Sequence, residues 1–101
     1  MLAQFSIVPL DQGESVSEWV AKVLDRVDRS GLDYRLTPMA TVVEGDFDTV
    51  MDLIRDCHKL MRGHSSRVLT TISIDDREGA TGRLEGKIES VRSQSVRALK
   101  A

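Results

Sequence analysis

Leu36-Thr37-Pro38-Met39-Ala40-Thr41-Val42-Val43-Glu44-Gly45 holds two β-rich runs around a turn that contains Pro38. Asp33 to Thr37 reads as one strand and Thr41 to Gly45 as the next, with Pro38 and its neighbours joining them as a short hairpin. This hairpin is the centre of the chain. On either side of it the pattern is helix, then strand.

Upstream, Ala3 to Leu10 alternates, with Phe5 and Ile7 on one face and Gln4 and Ser6 on the other. That is the two-residue period of a strand, and Pro9, which has no N–H to give a ladder, marks its end. Asp11-Gln12-Gly13 reads as a loop. Ser15 and Glu18 have capping-box spacing, and Val16, Trp19, Val20, Val23, Leu24 and Val27 follow at helical intervals. Gly31 is placed to end that helix in a left-handed conformation. Downstream, Asp46 is an N-cap for a second helix. Its apolar stripe is read as Phe47, Val50, Met51, Ile54, Cys57, His58 and Met61, and Gly63 is expected to end it as Gly31 ends the first. Arg67 to Asp75 is a fourth strand, rich in β-branched residues. A polar loop covers 76–82, and a last helix is expected from about Thr81 to Ala98.

The order is βαβ, βαβ, then a helix. The expected fold is α+β, a ferredoxin-like βαββαβ sandwich with a four-stranded antiparallel sheet plus a C-terminal helix. Both helices cover one face of the sheet. On the other face Leu69, Thr71, Ser73 and Asp75 of the fourth strand join Gln4, Ser6 and Val8 of the first. That face is neither charged throughout nor uniformly polar, so it is expected to meet another subunit, the terminal helix or a ligand.

The chain reads as one domain over residues 1–101. Aromatic residues are only 4% of it, so the core must be aliphatic. The net charge of −2 argues against a general nucleic-acid grip. Residues 1–82 hold 9 Lys/Arg against 14 Asp/Glu, whereas residues 83–101 hold 5 against 2, which reads as a solvated basic helix face. RNA binding by a sheet of this kind needs aromatic residues on the central strands, and Phe5 faces the helices. Cys57 is the one cysteine, which excludes an intrachain disulfide and fits a reducing cytoplasm. No apolar run approaches a membrane span, and no signal peptide is evident, so a cytosolic protein is expected.

Few residues bear chemistry. Glu44 lies between apolar neighbours, and a carboxylate buried there needs a partner. Arg35 across the hairpin, Arg67, and a nitrogen-rich ligand are the alternatives. Ser6, Thr37 and Thr41 are small strand hydroxyls, and Met39 offers a polarizable sulfur for the core or for the flat face of a ring. Cys57 and His58 are adjacent on a helix and diverge by about 100°, so they share neither a metal nor a nucleophilic pair. No metal-ligand spacing, catalytic triad or paired acid–base site is present. Neither a metal nor a cofactor is expected, and no enzyme activity.

Phe5-Ser6-Ile7-Val8-Pro9-Leu10, Leu36-Thr37-Pro38-Met39 with Thr41 and Glu44-Gly45, Cys57-His58, Ile74-Asp75-Asp76-Arg77 and Gly86-Lys87-Ile88 together resemble the small thiamine-binding proteins of the UPF0045 (DUF77) family. The match covers nearly the whole chain in order. The resemblance implies a ferredoxin-like fold, a homodimer that pairs again into a homotetramer, and non-catalytic binding of thiamine or its hydroxymethylpyrimidine half at the sheet or subunit interface. The alternative is an oligomeric regulatory or scaffold protein with no small ligand. The pocket residues it implies are Ser6, Thr37, Met39, Thr41 and Glu44, with Asp75 from the fourth strand or a partner subunit. In this reading Glu44 accepts from the pyrimidine amine or holds a protonated ring nitrogen, hydroxyls complete the hydrogen bonds, and Met39 packs on the ring. Glu44→Gln is then expected to weaken thiamine binding about tenfold or more. Ala40 stands where these proteins usually carry Gly, which would strain a turn that needs positive φ. Asp11 stands at another position that commonly holds Gly.

Overall fold

The computed structural model describes residues 1–11, 17–79, 82 and 84. Its elements are β1 (Leu2–Pro9), α1 (Ser17–Arg29), β2 (Asp33–Leu36), β3 (Thr41–Glu44), α2 (Phe47–Arg62) and β4 (Val68–Asp75). The sheet order is β2-β3-β1-β4, with every neighbouring pair antiparallel. This is the ferredoxin-like plan, in which the two βα units interleave and place β1 and β3 at the centre. The capping-box residue Ser15, the stripe residue Val16 and nearly all of the expected C-terminal helix lie outside the described residues. Leu84, from that last segment, is helical and buried.

The helices form because their apolar residues recur at helical spacing. They stay because those stripes close over the sheet. Ala3 and Phe5 of β1, Val43 of β3, Val23 and Val27 of α1, and Val50, Leu53, Ile54, Cys57 and Met61 of α2 make one core. The stripe of α2 differs from the expected one at its start. Phe47 is exposed and Leu53 is buried instead. Phe47 is the first residue of the helix.

The ends of the elements carry their own chemistry. The Asp46 carboxylate accepts from the Thr49 N–H at 3.1 Å and from the Thr49 hydroxyl at 2.6 Å. Those bonds hold its carboxyl below the usual Asp range, the side-chain bond contributing most. Gly31 adopts φ +77°, as a left-handed helix end requires. Gly63 does not follow it. Its φ is −67°, and its N–H donates to the Lys59 carbonyl at 3.0 Å, the ordinary α-helical bond; the next N–H, that of His64, reaches the Met61 carbonyl at 3.0 Å, and this i→i−3 bond tightens the turn that ends α2. Gly45 is closely packed: a Cβ there would sit 2.8 Å from Leu32 Cδ2, so the tip of that leucine would have to shift. No described residue other than glycine has positive φ, so Ala40 is unstrained. Asp11, the other departure from the family pattern, ties two loops together: its carboxylate accepts from the hydroxyls of Ser65 and Ser66 and from the Ser66 N–H. Among the described residues no helix is long and apolar enough to cross a membrane.

Candidate functional site

The site follows from a mismatch in strand length. β1 runs for eight residues and β3 for four. Their pairing ends at Phe5 with Thr41, while β1 continues along β4 as far as Pro9 with Val68. Beside Ser6, Ile7 and Val8 the sheet therefore has a gap where β3 has already turned away. The gap deepens into a hollow of about 290 Å³. Val20, Val23 and Leu24 of α1 roof it, Leu36 to Thr41 form the hairpin wall, and Phe5 and Met61 close it from the core. The lining is mainly apolar.

Four of the six expected pocket residues meet here. Ser6, Thr37, Met39 and Thr41 all line the hollow. Ser6 is half-buried and borders it from the open side of the sheet. Thr41 is buried on the helix side. Met39 is 86% exposed, so it stands at the lip and fills no core. The Thr37 hydroxyl is committed to the turn: it donates to the Ala40 carbonyl at 2.7 Å and accepts from the Ala40 and Met39 N–H groups at 3.0 and 3.3 Å. It shapes the wall and has little left to offer a ligand.

The two acids lie at the other end of the sheet. The register sets Asp33, Glu44, Leu2 and Asp75 in one row across the four strands. Asp75 borders a separate shallow recess with Gln4, Val42 and Ser73. Glu44 is half-buried on the open face, where Arg35 is its diagonal neighbour across the hairpin. One chain therefore does not bring Glu44 or Asp75 to the hollow that holds the other four.

Three groups near α1 and α2 complete the electrostatic picture. The Trp19 ring stacks on His64 with centroids 3.4 Å apart, and Lys22 Nζ lies 4.1 Å from the Trp19 centroid. Cys57 and His58 do diverge. The Cys57 thiol points to the Val23 carbonyl at 3.9 Å, whereas His58 Nδ1 shares a hydrogen bond of 2.6 Å with Thr70 Oγ1. Burial, with the nearby Asp56 charge, pushes the Cys57 thiol up to about 11, so it is an un-ionised core residue. Among the described residues no three His, Cys, Asp or Glu side chains gather as metal ligands.

The lining residues that residue chemistry did not single out are the apolar ones, Val20, Leu24 and Leu36, and Ile7 on the strand. Their signal in the sequence is indirect: an eight-residue strand facing a shorter one must outrun it.

The family model for thiamine-binding proteins matches residues 3–92. The chain belongs to the thiamine-binding protein family. Its relatives bear the UPF0045 name. The UPF0045 protein YqgV of Bacillus subtilis is 38% identical over 96 residues, covering 89% of this chain and 92% of the relative. The UPF0045 protein MJ1052 of Methanocaldococcus jannaschii is 30% identical over 91 residues, covering 90% and 91%. The crystal structure of MJ1052 superimposes with a TM-score of 0.82, over 89% of this chain and 93% of that one. The DUF77 domain from Bacillus cereus gives a TM-score of 0.75 at 26% identity, over 94% of this chain and 89% of that one. The family and the ferredoxin-like fold are thus the ones the sequence motifs pointed to, and the family's name describes binding, not turnover.

Proposed function

We propose that the protein binds thiamine or its hydroxymethylpyrimidine half, without transforming it, in the hollow between α1 and the β2–β3 turn. The observation that carries this reading is the hollow itself: an apolar recess beside β1, in a chain whose family is described by thiamine binding. Its volume is at the lower end of the ~300–1,000 Å³ of small-molecule sites, which suits one heterocycle with the second ring toward solvent. Val20 and Leu36 offer apolar contact, Met39 covers the ring from the lip, and Ser6 supplies a hydroxyl. Thr37 and Thr41 shape the wall. Glu44 and Asp75 take no part within one chain. Among the described residues the lining of the hollow is apolar side chains and small hydroxyls, which suits holding a ring. The role is that of a cytosolic carrier or buffer of the vitamin.

The open face of the sheet supports a second element of the proposal, self-association into a homodimer and from it a homotetramer. Val8 and Leu69 are register partners on that face and are 43% and 55% exposed. Around them Gln4, Ser6, Thr71 and Ser73 carry no charge, which suits contact with a second copy.

A thermal-shift screen against thiamine, its phosphates and hydroxymethylpyrimidine, with mass measured in solution, tests both elements. Ligand at about 100 times its Kd must stabilise the fold by about 2.7 kcal/mol. No shift with any of them refutes the carrier reading and leaves an oligomeric scaffold. A monomeric mass refutes self-association.

A further inference from the structure

A strand residue sends its N–H and C=O to the same neighbouring strand, and the next residue sends both to the other side. In β1 the two sides can be assigned twice, independently. The Gly45 N–H donates to the Met1 carbonyl at 3.1 Å, in register with the pairs from Leu2 with Glu44 to Phe5 with Thr41. Met1 and Gly45 are thus a hydrogen-bonded pair, and the odd-numbered residues of β1 address β3. The Leu10 N–H donates to the Arg67 carbonyl at 2.9 Å, in register with the pairs between β1 and β4. The even-numbered residues therefore address β4, and the two assignments agree.

Continuing the register between β1 and β3 sets Ile7 opposite Met39. No strand is there, because β3 begins at Thr41. The Met39 N–H has turned to Thr37 Oγ1 instead. The next odd residue, Pro9, has no N–H to leave unpaired, which is why proline suits such an edge. Ile7 does have one, and its N–H and C=O point side by side toward the hollow that it lines. Among the described residues no backbone group pairs with them.

We infer that Ile7 is the specificity-determining residue of this hollow, acting through its main chain. Its C=O accepts from an exocyclic amine, and its N–H donates to the ring nitrogen next to the amine-bearing carbon. The pair therefore selects planar heterocycles with a donor and an acceptor on adjacent positions of one edge, the edge an aminopyrimidine presents. This rests on the hollow being the thiamine site and names the contact that the carboxylate was expected to make. A main-chain fork is fixed in place by the ladder to β4, so it needs no side chain to be ordered on binding.

The test uses the full-length protein labelled with ¹⁵N and three probes: thiamine, the analogue in which CH replaces the ring nitrogen next to the amine-bearing carbon, and the analogue in which CH replaces the other ring nitrogen. Thiamine should move the Ile7 amide proton downfield. The first analogue should bind about tenfold more weakly or worse, and the second within about threefold of thiamine. If thiamine moves the amides of Val20, Leu36 and Thr37 but leaves Ile7 in place, or if the two analogues bind alike, the main-chain fork is overturned while the hollow remains the site. If no amide around the hollow moves, the carrier reading fails and the fork with it.

Discussion

Replacing Glu44 by Gln separates two accounts of the same protein. A carboxylate that accepts from a bound amine contributes a hydrogen bond to a charged group, and losing it would cost about 1.5–3 kcal/mol, a factor of ten or more in Kd. The structure places Glu44 at the opposite end of β3 from Thr41, the one β3 residue that lines the hollow. At ~3.3 Å per residue that separation is about 10 Å. Across such a distance in water, one carboxylate and the thiazolium charge attract by about 0.4 kcal/mol, and physiological salt, with a Debye length of about 8 Å, reduces this further. Glu44→Gln should therefore change thiamine affinity by about twofold or less in calorimetric titration near 0.15 M salt. Enlarging that small change by lowering the salt would identify it as long-range attraction. A loss of tenfold or more at physiological salt would refute the reasoning and move the site to the acidic end of the sheet.

The hollow itself can be filled: Val20→Trp, at a partly exposed position in its roof, should leave the melting temperature of the free protein nearly unchanged and abolish the rise that thiamine produces, as thermal shift would show. Ala40→Gly should destabilise by about 0.4–1 kcal/mol in urea unfolding, because no positive φ is relieved and the unfolded chain gains freedom; a gain in stability would show that the turn does strain Ala. The Cys57 thiol is raised in the folded state, so its contribution is complete below the ordinary thiol range and is lost as pH rises through about 11. The stability gap between the native protein and Cys57→Ala should accordingly narrow between pH 9 and 11, read from urea midpoints; a constant gap would mean that the thiol ionises without penalty. Asp46 has the opposite sign: its depressed carboxyl stabilises above the ordinary Asp range, and the advantage over Asp46→Ala should shrink as the pH of thermal melts falls through that range.

The order from β1 to β4, most of the α2 stripe, the Asp46 cap and the left-handed Gly31 were legible in the chain, because each is a local matter of spacing and backbone conformation. So was the family, whose motifs are contiguous in sequence. Of the expected pocket residues, Ser6, Thr37, Met39 and Thr41 line one hollow, whereas Glu44 and Asp75 lie at the other end of the sheet. What the four do in the hollow could not be read from residue type. The Thr37 hydroxyl is spent on the turn only because Ala40 folds back over it. Gly63 resembles Gly31 in sequence yet closes its helix with ordinary φ, and the N–H groups of His64 and Ser65 after it both reach back to the Met61 carbonyl.

Glu44 shows the boundary most clearly. Its apolar flanks marked it as unusual, but which end of the sheet it occupies depends on how β3 registers against β1 and β2. Register is a long-range choice, made by the helices closing over Phe5, Val43 and Ala3 together. The same choice leaves β1 longer than its neighbour and opens the gap at Ile7. Local pattern determined which strands and helices this chain makes, while the hollow exists only because packing halts one strand before the other ends.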